Sequence, residues 1–179
     1  MFETSNDLSL ATRRSLSEIL NEQLADAIDL QLQAKQAHWN IKGPNFVGLH
    51  ELFDRIAAQA RDYADDIAER AVALGAVARG TLQAVSGQSQ LREYPIEIRE
   101  WRDHVRAMQD ALATFGRGAR RAIEDATALN DADTADLFTE ISRGLDKSLW
   151  MVEAHVQDGP GDAKQVEAPA AVRDAARPR

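Results

Sequence analysis

Four stretches of the chain repeat apolar residues every three or four positions, and this periodicity constrains the fold more than any other feature. Such spacing places the residues on one face of an α-helix, whereas a half-buried strand alternates every second residue. No alternating pattern competes with it. The first stripe runs through Leu20, Leu24, Ala27, Gln31, Ala34 and His38. The others run from Leu49 to Leu74, from Ile98 to Ala119 and from Leu137 to Val156.

Four long amphipathic helices predict an all-α four-helix bundle. Gly43-Pro44 ends the first helix, and Asn45 is a candidate cap for the second. The first and third links are short and therefore join antiparallel neighbours. The link from Gly75 to about Pro95 is long enough to cross the length of the bundle, with room for a short helix near Thr81–Val85. The sequence thus predicts one domain over residues 1–158.

Composition narrows the classes of protein that fit. The segment 159–179 is rich in Ala, Pro and charge, which predicts a flexible tail. The net charge of −8 disfavours a wholly basic nucleic-acid binder. The chain has no cysteine, so disulfides and thiolate ligands are excluded. No apolar run approaches the roughly 18–20 residues of a membrane span, and the N-terminus lacks a secretory pattern, so we expect a cytoplasmic protein.

Two polar pairs on the second helix suggest a metal site. His50 and Asp54 are four residues apart, and Asp65 and Glu69 repeat that spacing. At 100° per residue all four fall within an arc of roughly 100°, centred about 150° from the apolar stripe. An isolated acidic pair usually belongs to a solvated face. The Gly-Pro turn, however, can bring His38 towards His50, which adds a further candidate ligand.

Distance decides how the two pairs can cooperate. At 1.5 Å per residue their centres lie roughly 22 Å apart, too far to share an ion within one chain. If two copies of the helix cross antiparallel near residues 59–60, each pair meets the other pair of the partner. A two-fold interface then builds two identical sites of imidazoles and carboxylates, which suit iron, manganese or zinc. Ala57, Ala58 and Ala60 lie between the pairs and leave little bulk.

The sequence resembles the Dps family, the DNA-binding proteins from starved cells, also called mini-ferritins. The likeness lies in "KQAHWNIKGPNFVGLHELFD", "DYADDIAER", "YPIEI" and "NDADTADLFTEISRGLDKSLWMVEAHV". The family motif H-x11-H-x3-D-x10-D-x3-E is filled at all five positions, by His38, His50, Asp54, Asp65 and Glu69. Ferritins proper instead use an E-x-x-H site inside each bundle, and no E-x-x-H occurs in this chain.

The resemblance implies a ferritin-like bundle that assembles into a hollow dodecameric shell with tetrahedral symmetry. At dinuclear sites on the dimer two-folds, Fe(II) would be oxidised, preferably by hydrogen peroxide, and ferric mineral would be stored inside. The five motif residues would be the iron ligands, and Lys35, one turn before His38, would support them. Trp39 and Trp150 are candidates for quenching stray radicals, although an aromatic residue in a bundle more often belongs to the core.

Two further expectations concern the pores and DNA. The resemblance implies that Asp131, Asp133 and Asp136, at the start of the last helix, line three-fold pores for Fe(II), although capping alone also explains acids there. The alternative function is a DNA-compacting protein that uses its terminal arms and associates with the nucleoid. Only the last seven residues, "RDAARPR", are net basic, so any DNA contact is expected from the tail. His104 and His155 are expected to be ordinary bundle residues.

Overall fold

Five helices make up the described part of the chain. The computed structural model describes residues 1–157. The helices are α1 (Leu10–Asn40), α2 (Phe46–Ala73), α3 (Leu82–Gln88), α4 (Trp101–Ala128) and α5 (Ala132–Glu153). No strand occurs within residues 1–157. The predicted all-α bundle with a short helix in its long crossover is therefore confirmed, and the tail 159–179 lies outside the described residues.

The apolar stripes of the four long helices meet in one core. Their fully buried members include Leu20 of α1, Phe53 of α2, Phe115 of α4 and Phe138 of α5. Helix α1 starts well before the predicted stripe, at Leu10, and the Ser9 side chain caps it by accepting a hydrogen bond from the Thr12 N–H. Burial of these faces, rather than helix propensity, stabilises helices of this length.

Contacts between helix ends give the topology. Trp101, the first residue of α4, packs against Gly43, just past the end of α1. Arg70, near the end of α2, binds Asp131 at the start of α5. Helix α4 is therefore antiparallel to α1, and α5 is antiparallel to α2. The crossover returns the chain from one end of the bundle to the other, as the long link predicted.

Polar side chains of α1 fasten the crossover to the bundle. The Asn21 side chain donates to the carbonyl of Val77 and accepts from the N–H of Arg79. Asp26 accepts from the N–H of Gln90. Thr81 caps α3, close to where the sequence predicted a short helix. Backbone groups of an irregular segment have no helical or strand partners, and α1 supplies partners for these three.

The N-terminal segment lies against the end of α2. The N–H of Phe2 donates to the carbonyl of Gly75, and the Arg13 guanidinium donates to the carbonyl of Leu74. Gly75 has φ +82°, and a Cβ at this position would collide with the carbonyl of Phe2. Phe2 in the arm before α1 and Arg13 in the first turn of α1 thus satisfy carbonyls at the C-terminus of α2 that have no helical partner.

Some predicted boundaries differ from the structure. Asn45 occupies the N-cap position of α2, but its side chain makes no capping hydrogen bond. Ile98 lies before α4, because the chain turns at Pro95 and stays extended at Glu100. Val156 lies in a turn beyond the end of α5. Among residues 1–157, no helix has the length and apolar character that would let it cross a membrane.

Candidate metal centre

His38 and His50 form a stacked pair at the turn between α1 and α2. Their ring centroids are 3.7 Å apart and the ring planes differ by 22°. His38 Nδ1 lies 2.8 Å from the carbonyl oxygen of His50, and His50 Nδ1 lies 2.9 Å from the carbonyl oxygen of His38. The structure thus brings together the two histidines that lie twelve positions apart in the sequence.

These reciprocal contacts fix the tautomer of both rings. A carbonyl oxygen only accepts hydrogen bonds, so each Nδ1 must carry a proton and donate it. In the neutral ring the lone pair then lies on Nε2, the nitrogen that binds a metal when Nδ1 donates to a backbone carbonyl. Two imidazoles are therefore held side by side, each with a metal-binding nitrogen free of these backbone contacts.

Asp54 adds an ionised carboxylate to this half of the site. It projects one turn beyond His50 and is exposed. Lys35 Nζ donates to Asp54 Oδ1 at 2.6 Å. That bond holds the pKa of Asp54 below its usual value, and the charges of Lys35, His38 and His50 act in the same direction. Lys35 thus forms a direct ion pair with a candidate ligand, and its supporting role at the site stays a prediction.

Aromatic side chains border the histidine pair. The Phe46 ring lies 5.0 Å from the His50 ring, a contact that sequence reasoning missed although the i, i+4 spacing on α2 could have indicated it. Lys35 Nζ lies 5.7 Å from the centroid of Trp39. Trp39 is 67% exposed and Trp150 is 61% exposed. The general expectation that such aromatics belong to the core is therefore wrong for both.

Asp65 and Glu69 lie further along α2 and are exposed, as are most of the polar residues on this face. Within residues 1–157, no group of three His, Asp or Glu side chains is placed to hold a metal ion. One chain therefore presents His38, His50 and Asp54 at one end of α2, with Asp65 and Glu69 about three to five turns away.

The small residues at the surface beside Asp65 and Glu69 are not the alanines that the sequence suggested. Ala57 and Ala60 are buried in the chain's own core, because they continue the stripe that contains Phe53, and only Ala58 is exposed. An open groove between α1, α2 and the crossover instead runs beside Asp65. Its lining includes small and apolar residues: Leu24, Ile28, Ala64, Ala68, Ala78 and Gly80.

The three aspartates at the start of α5 differ in environment. Asp131 is 4% exposed and caps α5, accepting from the Thr134 N–H and hydroxyl and from Arg70. Burial alone would raise the pKa of Asp131, but the bonds from Arg70 and Thr134 outweigh it and lower that pKa. Asp133 and Asp136 are exposed, and Asp133 lies 3.6 Å from Arg70.

The other histidines have ordinary partners in the bundle. His104 is buried, and its Nδ1 lies 2.6 Å from the hydroxyl of Tyr94. Burial lowers the pKa of His104. His155 Nδ1 donates to the carbonyl of Met151 within the last turn of the chain that the structure describes. Neither side chain lies in the candidate site.

The four-helix fold and the histidine–carboxylate site indicate a ferritin-like class of protein. Comparisons with known proteins agree with that class. The ferritin-like domain family matches residues 17–161. The DNA protection during starvation protein of Agrobacterium fabrum is 47% identical over 156 residues, which cover 87% of this chain and 96% of that protein. The chain belongs to the ferritin-like class and, within it, to the Dps family.

Two further comparisons show how widely the similarity extends. The fine tangled pili major subunit of Haemophilus ducreyi is 32% identical over 155 residues, covering 87% of this chain and 82% of that protein. A solved structure of Mycobacterium smegmatis Dps in a tetragonal form superposes with a TM-score of 0.83 at 32% identity. That match covers 87% of this chain and 95% of the other.

Proposed function

We propose that this Dps-family protein oxidises Fe(II) and stores the ferric product inside a hollow shell of twelve copies, in the cytoplasm. The observation that carries the proposal is the stacked pair of His38 and His50. Both rings are held as the tautomer with Nε2 free, and the Asp54 carboxylate lies one turn from His50. Nothing in the packing of a helical turn requires two half-buried ligand-type nitrogens and an exposed carboxylate close together.

The donor set suits iron as the substrate. Imidazole nitrogen and carboxylate oxygen bind Fe(II) well, and carboxylates also stabilise the Fe(III) product. Two Fe(II) ions held together supply two electrons to one hydrogen peroxide molecule, which with two protons becomes two water molecules. Paired delivery of electrons would limit release of hydroxyl radical. The ferroxidase centre is therefore proposed to be dinuclear, with hydrogen peroxide as the preferred oxidant.

The centre would be shared between two subunits. Asp65 and Glu69 lie too far along α2 to join the histidines of their own chain. A second copy, related by a two-fold axis across the exposed face of α2, would bring its Asp65 and Glu69 to His38, His50 and Asp54. The lining of the groove beside Asp65 includes three alanines and a glycine, small residues that would permit close approach of the partner. An isologous interface of this kind builds two sites per dimer.

The environment of the centre gives roles to neighbouring residues. Lys35 neutralises Asp54 in the metal-free chain and would be displaced from it when iron binds. Trp39 is exposed beside the site and is an oxidisable side chain that would intercept a stray radical. At the start of α5, Asp133 and Asp136 are the exposed carboxylates that would attract Fe(II) to a three-fold pore. Asp131 would shape that pore through its bonds to Arg70 and Thr134.

A second candidate function is protection of DNA by direct binding. The printed name of the Agrobacterium relative, DNA protection during starvation protein, favours it. The N-terminal arm has no lysine and lies against the end of α2 through Phe2. Any DNA contact is therefore proposed to come from the tail, which ends in the net basic "RDAARPR". Twelve tails on one shell would add weak contacts by multivalency.

Substitution of the ligands tests the iron proposal. Asp54→Ala is the cleaner change, because His50 also binds a backbone carbonyl of α1. We expect Asp54→Ala and His50→Ala to slow Fe(II) oxidation by peroxide at least tenfold while the shell remains assembled. His155→Ala is the matched control, since it removes a histidine outside the site. Stopped-flow absorbance of the ferric product, with peroxide or oxygen as oxidant, measures the rates. Parent-like rates in both ligand variants would refute the assignment.

A further inference from the structure

The turn that joins the two histidine-bearing helices has an unusual backbone at Gly43. Its φ is +107°, a backbone conformation that residues with a Cβ rarely adopt. The carbonyl of Gly43 accepts from the N–H of Phe46, which is the first residue of α2. On the other side of the turn, Ile41 is buried and donates to the carbonyl of Ala37. The turn therefore sets where α1 stops and where α2 begins.

Trp101 occupies the space that a side chain at position 43 would need. A Cβ built on Gly43 would lie 3.2 Å from Trp101 Cδ1 and 3.7 Å from Cγ. The indole is partly buried against the core, and the guanidinium of Arg102 lies 4.3 Å from its ring centroid on a face of the ring. Trp101 is the first residue of α4. The end of the long crossover is thus packed directly against the turn between α1 and α2.

The position of this turn matters because it leaves the carbonyl of His38 free to accept a hydrogen bond from His50. Helix α1 ends with the bond from Ile41 to Ala37, and within residues 1–157 no backbone N–H reaches the next carbonyl, that of His38. His50 Nδ1 donates to it instead. A carbonyl in the last turn of a helix needs such a partner. One half of the reciprocal histidine contact therefore depends on where the turn ends α1.

We propose that Trp101 is a positioning residue for the metal centre, acting through Gly43 to hold the turn at which His38 and His50 stack. Trp101 acts through its packing against Gly43 and thereby fixes the relative register of α1 and α2. The inference rests on the proposed metal-binding function for its purpose, but the geometry it concerns can be measured without iron.

Three variants separate positioning from general stability. Trp101→Ala removes the indole, and Trp101→Phe keeps a flat ring against Gly43. Leu112→Ala is the control. Leu112 is fully buried on the same helix, about three helical turns beyond Trp101. Solid-state NMR of the sedimented full-length protein with ¹⁵N-labelled histidine reports whether each Nδ1 is protonated. Calorimetry with Zn(II) alone, without oxidant, reports binding at the centre.

In Trp101→Ala we expect the Nδ1 signals of His38 and His50 to change while that of His155 stays as in the parent. Zn(II) should bind about tenfold more weakly, the size of effect typical when support of a ligand is lost. Trp101→Phe should keep the histidine Nδ1 signals and Zn(II) binding as in the parent. Leu112→Ala should leave both unchanged despite a lower melting temperature. If Trp101→Ala does not fold, Trp101→Leu, which keeps bulk but not the flat ring, should show the same changes in weaker form.

The results distinguish this inference from the function on which it rests. Parent-like histidine spectra in the Trp101→Ala or Trp101→Leu protein would overturn the positioning role, whatever happens to Zn(II) binding. Equal histidine changes in Leu112→Ala would also overturn it, because the effect would then follow from destabilisation. If the parent protein bound no Zn(II) at this centre, the metal proposal would fail, but the histidine spectra would still decide the role of Trp101.

Discussion

Replacing Asp26 with Asn should stabilise the protein at neutral pH, although Asp26 fastens the crossover to α1. Asp26 is 1% exposed and accepts from the N–H of Gln90 at 2.7 Å and from the Ser89 hydroxyl. Burial raises the pKa of Asp26 to about 6, and the charges of Glu22 and Asp29 add to the shift. The carboxylate is therefore held ionised at neutral pH at a cost, whereas an amide oxygen can accept the same hydrogen bonds.

The magnitude follows from the difference in pKa between the folded and unfolded states. The ordinary pKa is 3.8 and the folded value is about 6. A raised pKa means that the folded state binds the proton more tightly. The free energy of unfolding of the parent therefore falls as pH rises from about 4 to about 6, then stays level. The cost is about 1–2 kcal/mol at pH 5 and about 3 kcal/mol at pH 7.5, and Asp26→Asn removes it.

Thermal melts at these two pH values measure the effect. Asp26→Asn should raise the melting temperature by roughly 6–12 °C at pH 7.5 and by about half as much at pH 5. Asp125→Asn, a change at an exposed aspartate, should give no comparable pH-dependent gain. A lower melting temperature for Asp26→Asn at pH 7.5 would contradict the reasoning. It would mean that the charged hydrogen bonds to the crossover outweigh the cost of burial.

Three further predictions concern packing, the metal centre and the tail. Gly144→Ala should lower stability by about 1–3 kcal/mol, because the new methyl group would overlap the Tyr63 hydroxyl; Tyr63→Phe in the same chain should recover part of the loss in a thermal melt. Lys35→Met should tighten Zn(II) binding by at most about fivefold in calorimetry, because it frees Asp54, and weaker binding would count against the ion pair as a competitor. Deleting residues 160–179 should abolish retardation of duplex DNA in gel shifts at low salt without changing iron oxidation, and salt-insensitive binding by the truncated protein would refute the tail as the contact.

The fold could be predicted from the sequence because its signals are repeated many times along each helix. The stripes containing Leu20, Phe53, Phe115 and Phe138 all pack into one core. The length of the crossover predicted its path, and its short helix lies close to the expected position. Boundaries were less predictable, because features such as the turn before Trp101 depend on local backbone conformation and tertiary contacts rather than on periodicity.

The site was only partly predictable. The spacing of His38 and His50 around a Gly-Pro turn indicated that the two rings meet. The mutual donation from Nδ1 to a backbone carbonyl had no sequence signal, because every residue carries the same carbonyl group. The burial of Ala57 was misjudged, since small residues fit equally well in a core and at an interface. The ion pair between Lys35 and Asp54 joins two helices, and its partners lie 19 positions apart.

A mixed-subunit experiment tests the shared iron centre most directly. Asp54→Ala and Glu69→Ala should each slow peroxide-driven Fe(II) oxidation at least tenfold in shells made of one variant. Both variants are then assembled together in equal amounts. A shared site is intact when its Asp54 comes from a Glu69→Ala subunit and its Glu69 comes from an Asp54→Ala subunit. This happens in about a quarter of sites for random pairing across a two-fold axis. The account predicts recovery of roughly a quarter of the parent rate, with mixing verified by native mass spectrometry; no recovery in verified mixed shells would contradict a centre shared between subunits.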